Sequence, residues 1–365
     1  MFEKLKQSPI KIGIILAVLI IINIVGWYLY FNWDTPFGDP LDLPTATEEM
    51  ALDTDTETIA PGETEEALIS TTPNPDFTAT IEPVCGDDLS MTILVAGIDS
   101  EGYLFGLADS IRVVRIDFQT KKIVVLAFPR DLWVDITGTA AQGVTAGKLN
   151  QAYFYGTKGM GFYDGSGYGA GLLANTLQNN FGLNVDHYIT VNIYAFRNIV
   201  DALGGLDVYF PEEIYIKHFE QPKLYLDAGT QHLDGKQAEQ VVRARIDIGD
   251  FGRIRNQTLV LKALAAKMLT SNGIKQIPDL VTRLMTYVLT DFSAADVSKM
   301  ACMAALIDPK EDIIFDNVIP VEEEAQIGKW IQDEYLGYMV YALSYDREVL
   351  TQKLADFQAG IWPEQ

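Results

Sequence analysis

Four arginines fall within the seventeen residues VVRARIDIGDFGRIRNQ, residues 241–257: Arg243, Arg245, Arg253 and Arg255. They stand in a chain of 365 residues that holds 27 Lys and Arg against 50 Asp and Glu. A charge run is ordinarily a solvated face. Arginine, however, has a rigid planar fork that suits paired phosphate oxygens, which gives the cluster a second reading as an anion site. Other charged residues stand at the ends of apolar, β-branched runs. Asp99 closes MTILVAGID, Asp109 precedes SIRVVRID, and Arg130 and Asp131 follow KKIVVLAF in FPRD. Lys148 lies in GKLNQAY and Asp250 in GDFGR. If those runs are neighbouring strands, their ends bring carboxylates beside cations. Such a mixture suits a hard divalent cation bound together with a diphosphate.

Other chemistries lack their residues. His187, His218 and His232 share no motif, and no HExxH pair is present for zinc. The glycine-rich DGSGYGAG, residues 164–171, has neither the Gly-Lys-Ser/Thr of a phosphate loop nor the spacing of a dinucleotide fingerprint. A flexible approach to a helix is its simpler reading. No GxSxG elbow supports a serine hydrolase.

The elements that must position these residues follow from periodicity. Residues 91–99, 110–117 and 121–128 read as strands, the last two joined as a hairpin through Phe118 to Thr120. HYITVNI (187–193) and GLDVYF (205–210) read as two more. Helical patterns cover 169–182 and 194–205, each ended by glycine, then 233–242 with Asp234 as N-cap, and 254–270. Strands alternating with helices predict a three-layer α/β/α domain with a mixed central sheet. Residues 271–365 read as a mostly helical C-terminal extension built on IPDLVTRLMTYVLT, SAADVSKMACMAALI and IGKWIQDEYLGYMVYAL.

The amino terminus is a different material. Residues 1–11 carry Lys4, Lys6 and Lys11, and residues 12–31 are apolar apart from Asn23. Twenty helical residues rise about 30 Å, enough to cross a bilayer. Trp27, Tyr28, Tyr30 and Trp33 collect at the far end, and no Lys or Arg follows until Arg112. That asymmetry places residues 1–11 in the cytoplasm and everything beyond the span outside the cell membrane. No small-residue cleavage site follows, so the segment reads as a retained signal-anchor. Residues 34–88 hold fifteen acids, eleven Thr, seven Pro and no Lys or Arg, which predicts a disordered or extended stalk. The part beyond the stalk is still net acidic, so no nucleic acid is expected as a partner. Cys85 and Cys302 fit no metal-ligand spacing; the expectation for Cys302, in KMACMAALI, is a buried small hydrophobe, with a bridge to Cys85 as the lesser alternative.

The blocks ILVAGID, ADSI, KKIVVLAFPRDLWVDI, KLNQAYFYG, LDGKQAEQVVRAR and GDFGRIRNQTLVLKAL, in this order, resemble those of the LytR-CpsA-Psr family of extracytoplasmic phosphotransferases. The resemblance runs over about residues 90–270 and makes 89–270 the expected catalytic domain. It implies transfer of a glycopolymer from a polyprenyl diphosphate to peptidoglycan as a phosphodiester. It also implies Mg²⁺ held by Asp99 and Asp109. Arg130, Arg243, Arg245 and Arg253 would act on the diphosphate with Asp109, and Lys148, Asp250 and Gln257 would complete substrate binding. Two positions depart from the pattern. Leu107 stands where the family usually has Arg, and Asn256-Gln257 where it tends to have Arg-Gln, with Arg112, Arg115 or Arg255 as possible substitutes. A non-catalytic polymer binder and a polyprenyl-diphosphate pyrophosphatase are the competing readings. The expected lipid trench lies between the sheet and the helices of 169–204, with Leu172, Leu173, Leu177, Phe196 and Val200 as candidate lining, although ordinary core packing suits each of them better.

Overall fold

The computed structural model describes residues 32–43, 84–217, 223–244, 249–270, 273, 287–320 and 327–361. The apolar run 12–31, Arg245 and all of IPDLVTRLM lie outside these residues. No described helix is long and apolar enough to cross a membrane.

The central sheet begins as a meander. Strands β1 (Ser90–Ile98), β2 (Ala108–Asp117) and β3 (Lys122–Phe128) pair antiparallel in sequence order. The β2–β3 turn is closed by Asp117, whose Oδ1 accepts from the backbone N–H groups of Gln119 (3.0 Å) and Thr120 (2.8 Å). Between β3 and the next sheet strand come a small ladder, β4 (Trp133–Asp135) with β5 (Ala146–Lys148), and helices α1 (Leu149–Tyr155) and α2 (Tyr168–Phe181). Strand β6 (His187–Asn192) then pairs parallel to β1. Helix α3 (Ile193–Ala202) follows directly.

Alternation along β1 explains the layers, because successive side chains of a strand point to opposite faces. Leu94, Ala96 and Ile98 join one core cluster with Leu172, Leu173 and Leu177 of α2. Met91 and Ile93 join another with Phe118, Phe292 and Met303. Helices therefore cover both faces of a mixed sheet, as the α/β pattern predicts.

GLDVYF forms a strand but not in that sheet. Strand β7 (Leu206–Phe210) pairs instead with β10 (Gly229–Leu233), beside a second small ladder of β8 (Ile214–Ile216) and β9 (Leu224–Leu226). Together with α4 (Gly235–Arg243) and α5 (Gly249–Met268) these elements close their own core around Val208, Phe210, Leu233, Val241 and Val260. Asp234 caps α4 as expected, in a reciprocal box with Gln237.

The expectation of a mostly helical C-terminal extension is corrected. Among the described residues the region holds two helices, α6 (Ala294–Ala304) and α7 (Arg347–Gln358), and four strands. Strands β11 (Val288–Thr290) and β12 (Ile313–Asn317) are the two edges of the central sheet, in the order β11-β6-β1-β2-β3-β12. Strands β13 (Gly328–Asp333) and β14 (Tyr338–Leu343) form a hairpin where IGKWIQDEYLGYMVYAL reads as helix. The period there is two: Trp330 and Tyr341 oppose each other in solvent, while the adjacent Ala342 is buried. Gly337, at φ +76°, makes the turn that a helix does not contain. The region is thus structural to the sheet.

The stalk reading is corrected at both of its ends. Residues 32–43 lie against the domain, with Phe37 N–H donating to Phe292 O at 2.8 Å and Ala295 N–H to Trp33 O at 3.1 Å. Val84 N–H donates to Phe118 O at 3.1 Å. Residues 44–83 lie outside the described residues. The cysteine expectation is also corrected: Cys85 and Cys302 are joined by a disulfide, with their Cα atoms 5.8 Å apart.

His187 opens β6 with Asp291 3.5 Å and Asp296 4.0 Å from its ring nitrogens. Burial alone lowers the imidazole pKa, but Asp291, Asp296 and Asp186 outweigh it and raise the value above 6.5. A raised folded-state pKa contributes stability that is complete below 6.5 and is lost as pH rises through the folded value. The His187→Gln variant is expected to show a flatter dependence of Tm on pH as pH rises above about 6.5. Parallel curves for the two proteins would refute this assignment.

Candidate functional site

The meander brings three strand ends to one place. Because β1 and β2 are antiparallel, Ile98 lies opposite Ala108, so Asp99 and Asp109 emerge side by side. Arg130 follows β3 on the same edge. Asp99 is fixed by the backbone, its Oδ1 accepting from Leu107 N–H at 2.7 Å. One face of α5 supplies Asp250, Arg253 and Gln257, spaced three and four residues apart and so on one side of a helix.

Asp109 is the hub. Its Oδ1 takes Arg130 Nη1 at 2.6 Å and Asn150 Nδ2 at 3.2 Å, and its Oδ2 takes Arg253 Nη1 at 3.0 Å. Its backbone oxygen accepts from Gln257 Nε2 at 3.3 Å. Asp250 bridges the same two arginines, at 3.2 Å from Arg130 Nε and in direct contact with Arg253. Behind them Lys148 pairs with Asp131 at 2.9 Å, and Arg130 Nε stands 3.7 Å from Asp131. Lys148 thus steadies the Pro-Arg-Asp turn in this structure.

The ionisation states follow from these neighbours. Burial is the largest single influence on Asp109 and opposes its charge, yet Arg253 and Arg130 together hold its pKa below the ordinary value. Asp99 is raised, first by burial and then by the charge of Asp109, against the pull of Arg243 and Arg130. Asp250 is also raised by burial, despite Arg253. The site therefore mixes a firmly ionised carboxylate with two that resist ionisation.

A cavity of about 970 Å³ opens beside this cluster. Asp99, Asp109, Arg112, Arg243, Arg253 and Gln257 line it, together with apolar Ile193, Phe196, Ile199, Leu261 and Leu264. It lies between the β1–β6 part of the sheet and helices α3, α4 and α5. Of the expected lining, only Phe196 is there. Leu172, Leu173 and Leu177 are fully buried in the core on the other face, and Val200 belongs to the core around β7.

Arg243 is held by Glu239 at 2.9 Å, and the same carboxylate contacts Arg197. Glu239, 1 % exposed, reads in sequence as one more surface acid of a polar helix, and its spacing of four residues from Arg243 is the one local signal of this role. Asn150 is missed because its partner, Asp109, is far away in the chain. The three candidate substitutes for the Leu107 position separate cleanly. Arg115 pairs with Asp117 at the far end of β2, and Arg255 pairs with Glu212. Arg112 alone lines the cavity, buried and bonded to Ile254 O, Gln257 and Thr258.

The LytR_cpsA_psr family model matches residues 54–347. The chain belongs to the LytR-CpsA-Psr family. Among its relatives is the "polyisoprenyl-teichoic acid--peptidoglycan teichoic acid transferase TagU" of Enterococcus faecalis, 28% identical over 70% of this chain and 74% of that protein. Its fold is that of solved LytR-CpsA-Psr proteins. B. subtilis TagV matches over 74% of this chain and 97% of its own, at 23% identity and a TM-score of 0.60. A TagT structure, solved bound to LIIa-WTA, matches over 74% and 91% of the two chains, at 20% identity and a TM-score of 0.53.

Among the described residues no group of three or more His, Cys, Asp or Glu is placed to hold a metal ion. Asp99 and Asp109 fit a magnesium site of another kind. Mg²⁺ commonly takes one or two carboxylates and completes its shell with substrate phosphate and water. The upward push of Asp109 on Asp99 is the repulsion that a shared cation would relieve.

Proposed function

We propose that this protein is a membrane-anchored extracytoplasmic phosphotransferase that moves a polyprenyl-diphosphate-linked glycopolymer, a teichoic acid in the named relatives, onto peptidoglycan as a phosphodiester. The observation that carries this reading is the mixed lining of the large cavity. Apolar Ile193, Phe196, Ile199, Leu261 and Leu264 share its wall with Arg243, Arg253, Asp99 and Asp109. An amphiphile with a diphosphate head matches both kinds of lining. The names of the relatives support the same reading. The apolar run 12–31 would be the anchor, with residues 1–11 in the cytoplasm.

In the reaction, an acceptor hydroxyl oxygen attacks the phosphorus that bears the glycopolymer. The bond from that phosphorus to the bridging oxygen breaks, and the polyprenyl phosphate departs with the electron pair. The acceptor proton passes to a base, for which Asp109 and Asp250 are the two candidates. Arg253 and Arg243, with Arg130 and Arg245 as further expected contributors, balance charge on the diphosphate and on the leaving phosphate. Asp109 and Asp250 hold Arg130 and Arg253 in fixed directions, and such pre-set charge is where most catalysis of this type originates. Mg²⁺, held by Asp99 and Asp109, would add neutralisation of the bridging and non-bridging oxygens.

The test uses the full chain in detergent with a labelled polyprenyl-diphosphate glycopolymer, peptidoglycan fragments and Mg²⁺. Label is expected in peptidoglycan, and the Arg243→Ala variant should lose transfer by about a hundredfold while keeping its Tm, since the Arg243 side chain is 38 % exposed. Release of polyprenyl phosphate without any acceptor would favour a pyrophosphatase. Binding with neither product would favour a polymer binder.

A further inference from the structure

The acidic segment reads as a spacer between bilayer and domain, but the contacts made by residues 32–43 leave no spacer. The apolar run ends at Phe31, and by Trp33 the chain is already hydrogen-bonded to the start of α6. The strap continues along the β11 edge. Asp39 O accepts from the Tyr188 hydroxyl at 3.1 Å, and Leu41 N–H donates to Asp291 at 3.4 Å. Leu41 and Leu43 pack against the main core. At Gly38 a Cβ would come within 2.5 Å of Thr290 O, so only glycine lets the strap lie this close to β11. Residues 44–83 leave the domain at Leu43 and rejoin it at Val84, and so add no length between span and domain.

The surface around the strap is apolar. Leu104 is 61 % exposed, Phe105 47 %, Trp33 44 %, Phe37 43 % and Leu289 41 %. A cavity of about 410 Å³ is lined by Phe37, Leu104, Tyr168 and Leu289, which joins loop, strap and strand edge into one face. Lys158 sits 4.1 Å from the Tyr168 ring centroid, a cation at the margin of the aromatic surface. The rings of Tyr194 and Tyr287 meet at 4.9 Å, and Tyr194 directly follows Ile193, which lines the large cavity. The Tyr103 hydroxyl, in the lining of the smaller cavity, donates to Tyr287 O, so the face adjoins the wall of the large cavity.

We propose that this face rests directly on the outer leaflet of the bilayer, held there by the 32–43 strap. The proposal rests on the anchor reading of residues 12–31. Aromatic rings with a polar edge and short apolar side chains suit the lipid–water boundary, and lysine suits the phosphate headgroups above it. A polyprenyl chain then slides from the leaflet onto the apolar lining of the cavity without crossing water. The domain lies on the membrane, and α7, bonded to Arg115 of β2 and Asn317 of β12, points away.

The test places p-benzoylphenylalanine, one position at a time, in the full chain reconstituted in phosphatidylethanolamine–phosphatidylglycerol vesicles. The positions are Trp33, Phe105, Leu289 and, off the face, the exposed Val349 of α7. Illumination should give lipid adducts at 33, 105 and 289, several-fold more than at 349. In a Gly38→Val background the adducts at 105 and 289 should fall while those at 33 persist. Adducts at 33 but no excess at 105 and 289 would overturn the seated domain and leave the anchor standing. No adducts at 33 would sink the anchor reading, and the seat with it. Crosslinks from 105 and 289 to a second copy or to residues 44–83, in place of lipid, would also overturn the proposal.

Discussion

The Arg253→Ala variant is expected to lose transfer by at least about a hundredfold and to lose about 3–5 kcal/mol of stability as well. Both effects come from one side chain. Arg253 is 3 % exposed and stands between Asp109 and Asp250, both of them largely buried carboxylates. Removing its guanidinium leaves two desolvated acids with Arg130 as their remaining shared cation. Their mutual repulsion, now screened by one arginine, raises the free energy of the folded state. The same loss removes a cation from the wall of the cavity where the diphosphate is proposed to bind. Arg253→Lys separates the two roles. Lysine keeps the charge but has no planar fork to span two carboxylates, so stability should recover more than turnover. Chemical denaturation and a transfer assay on the same preparations decide the matter. Full turnover in the alanine variant, at any stability, would remove Arg253 from the reaction.

The second large effect concerns the disulfide. Cys85 and Cys302 close a loop with a sequence separation of 217 residues. Restricting so long a loop in the unfolded chain is worth about 5 kcal/mol in the chain-entropy model, with measured losses of about 2–5 kcal/mol for native bridges. The Cys85→Ser, Cys302→Ser variant should therefore unfold at a Tm lower by roughly 5–20 °C. Turnover below the new transition should be unchanged. The Cys85 end of the bridge lies in the core cluster of Met91, Ile93, Phe118 and Met303, while Cys302 is exposed, and both are away from the arginines of the cavity. The bridge ties the segment leading into β1 to α6. A Tm shift within about 1 °C would mean that the packing of this cluster, not the bridge, holds α6 in place.

Part of the site was legible in advance because the contacts that build it are local. Asp99, Asp109 and Arg130 flank strands that pair with their sequence neighbours, so a meander read from β-branched runs places their ends together. Asp250, Arg253 and Gln257 share a helix face by spacing alone. Asn150 was not legible, because it acts through Asp109, a partner far away in the chain. Arg112 was legible only as one of three candidate substitutes, and its bonds to Gln257 and Thr258 across the fold single it out. The burial of Glu239 left no mark, although its spacing from Arg243 is that of a helical pair. The β13–β14 hairpin was misread because its exposed face is aromatic. Trp330, Met339 and Tyr341 in solvent give a run of apolar letters with no polar alternation to mark a strand.

The sequence by itself determined the α/β class, the main strands, the cap of α4, the family and most of the residues of the charged cluster around Asp109. Those features rest on periodicity, on turn and cap chemistry, and on motifs of fixed spacing. The tertiary structure alone decided which face of the sheet holds the cavity and that the C-terminal strands complete the sheet edges. It also decided that Cys85 meets Cys302 and that residues 32–43 lie on the domain. Each of these depends on contacts between segments far apart in the chain, 217 residues for the disulfide and 250 for Leu41 with Asp291. Such contacts are selected by the burial of whole faces and by the closure of long loops, and neither leaves a local mark in the chain.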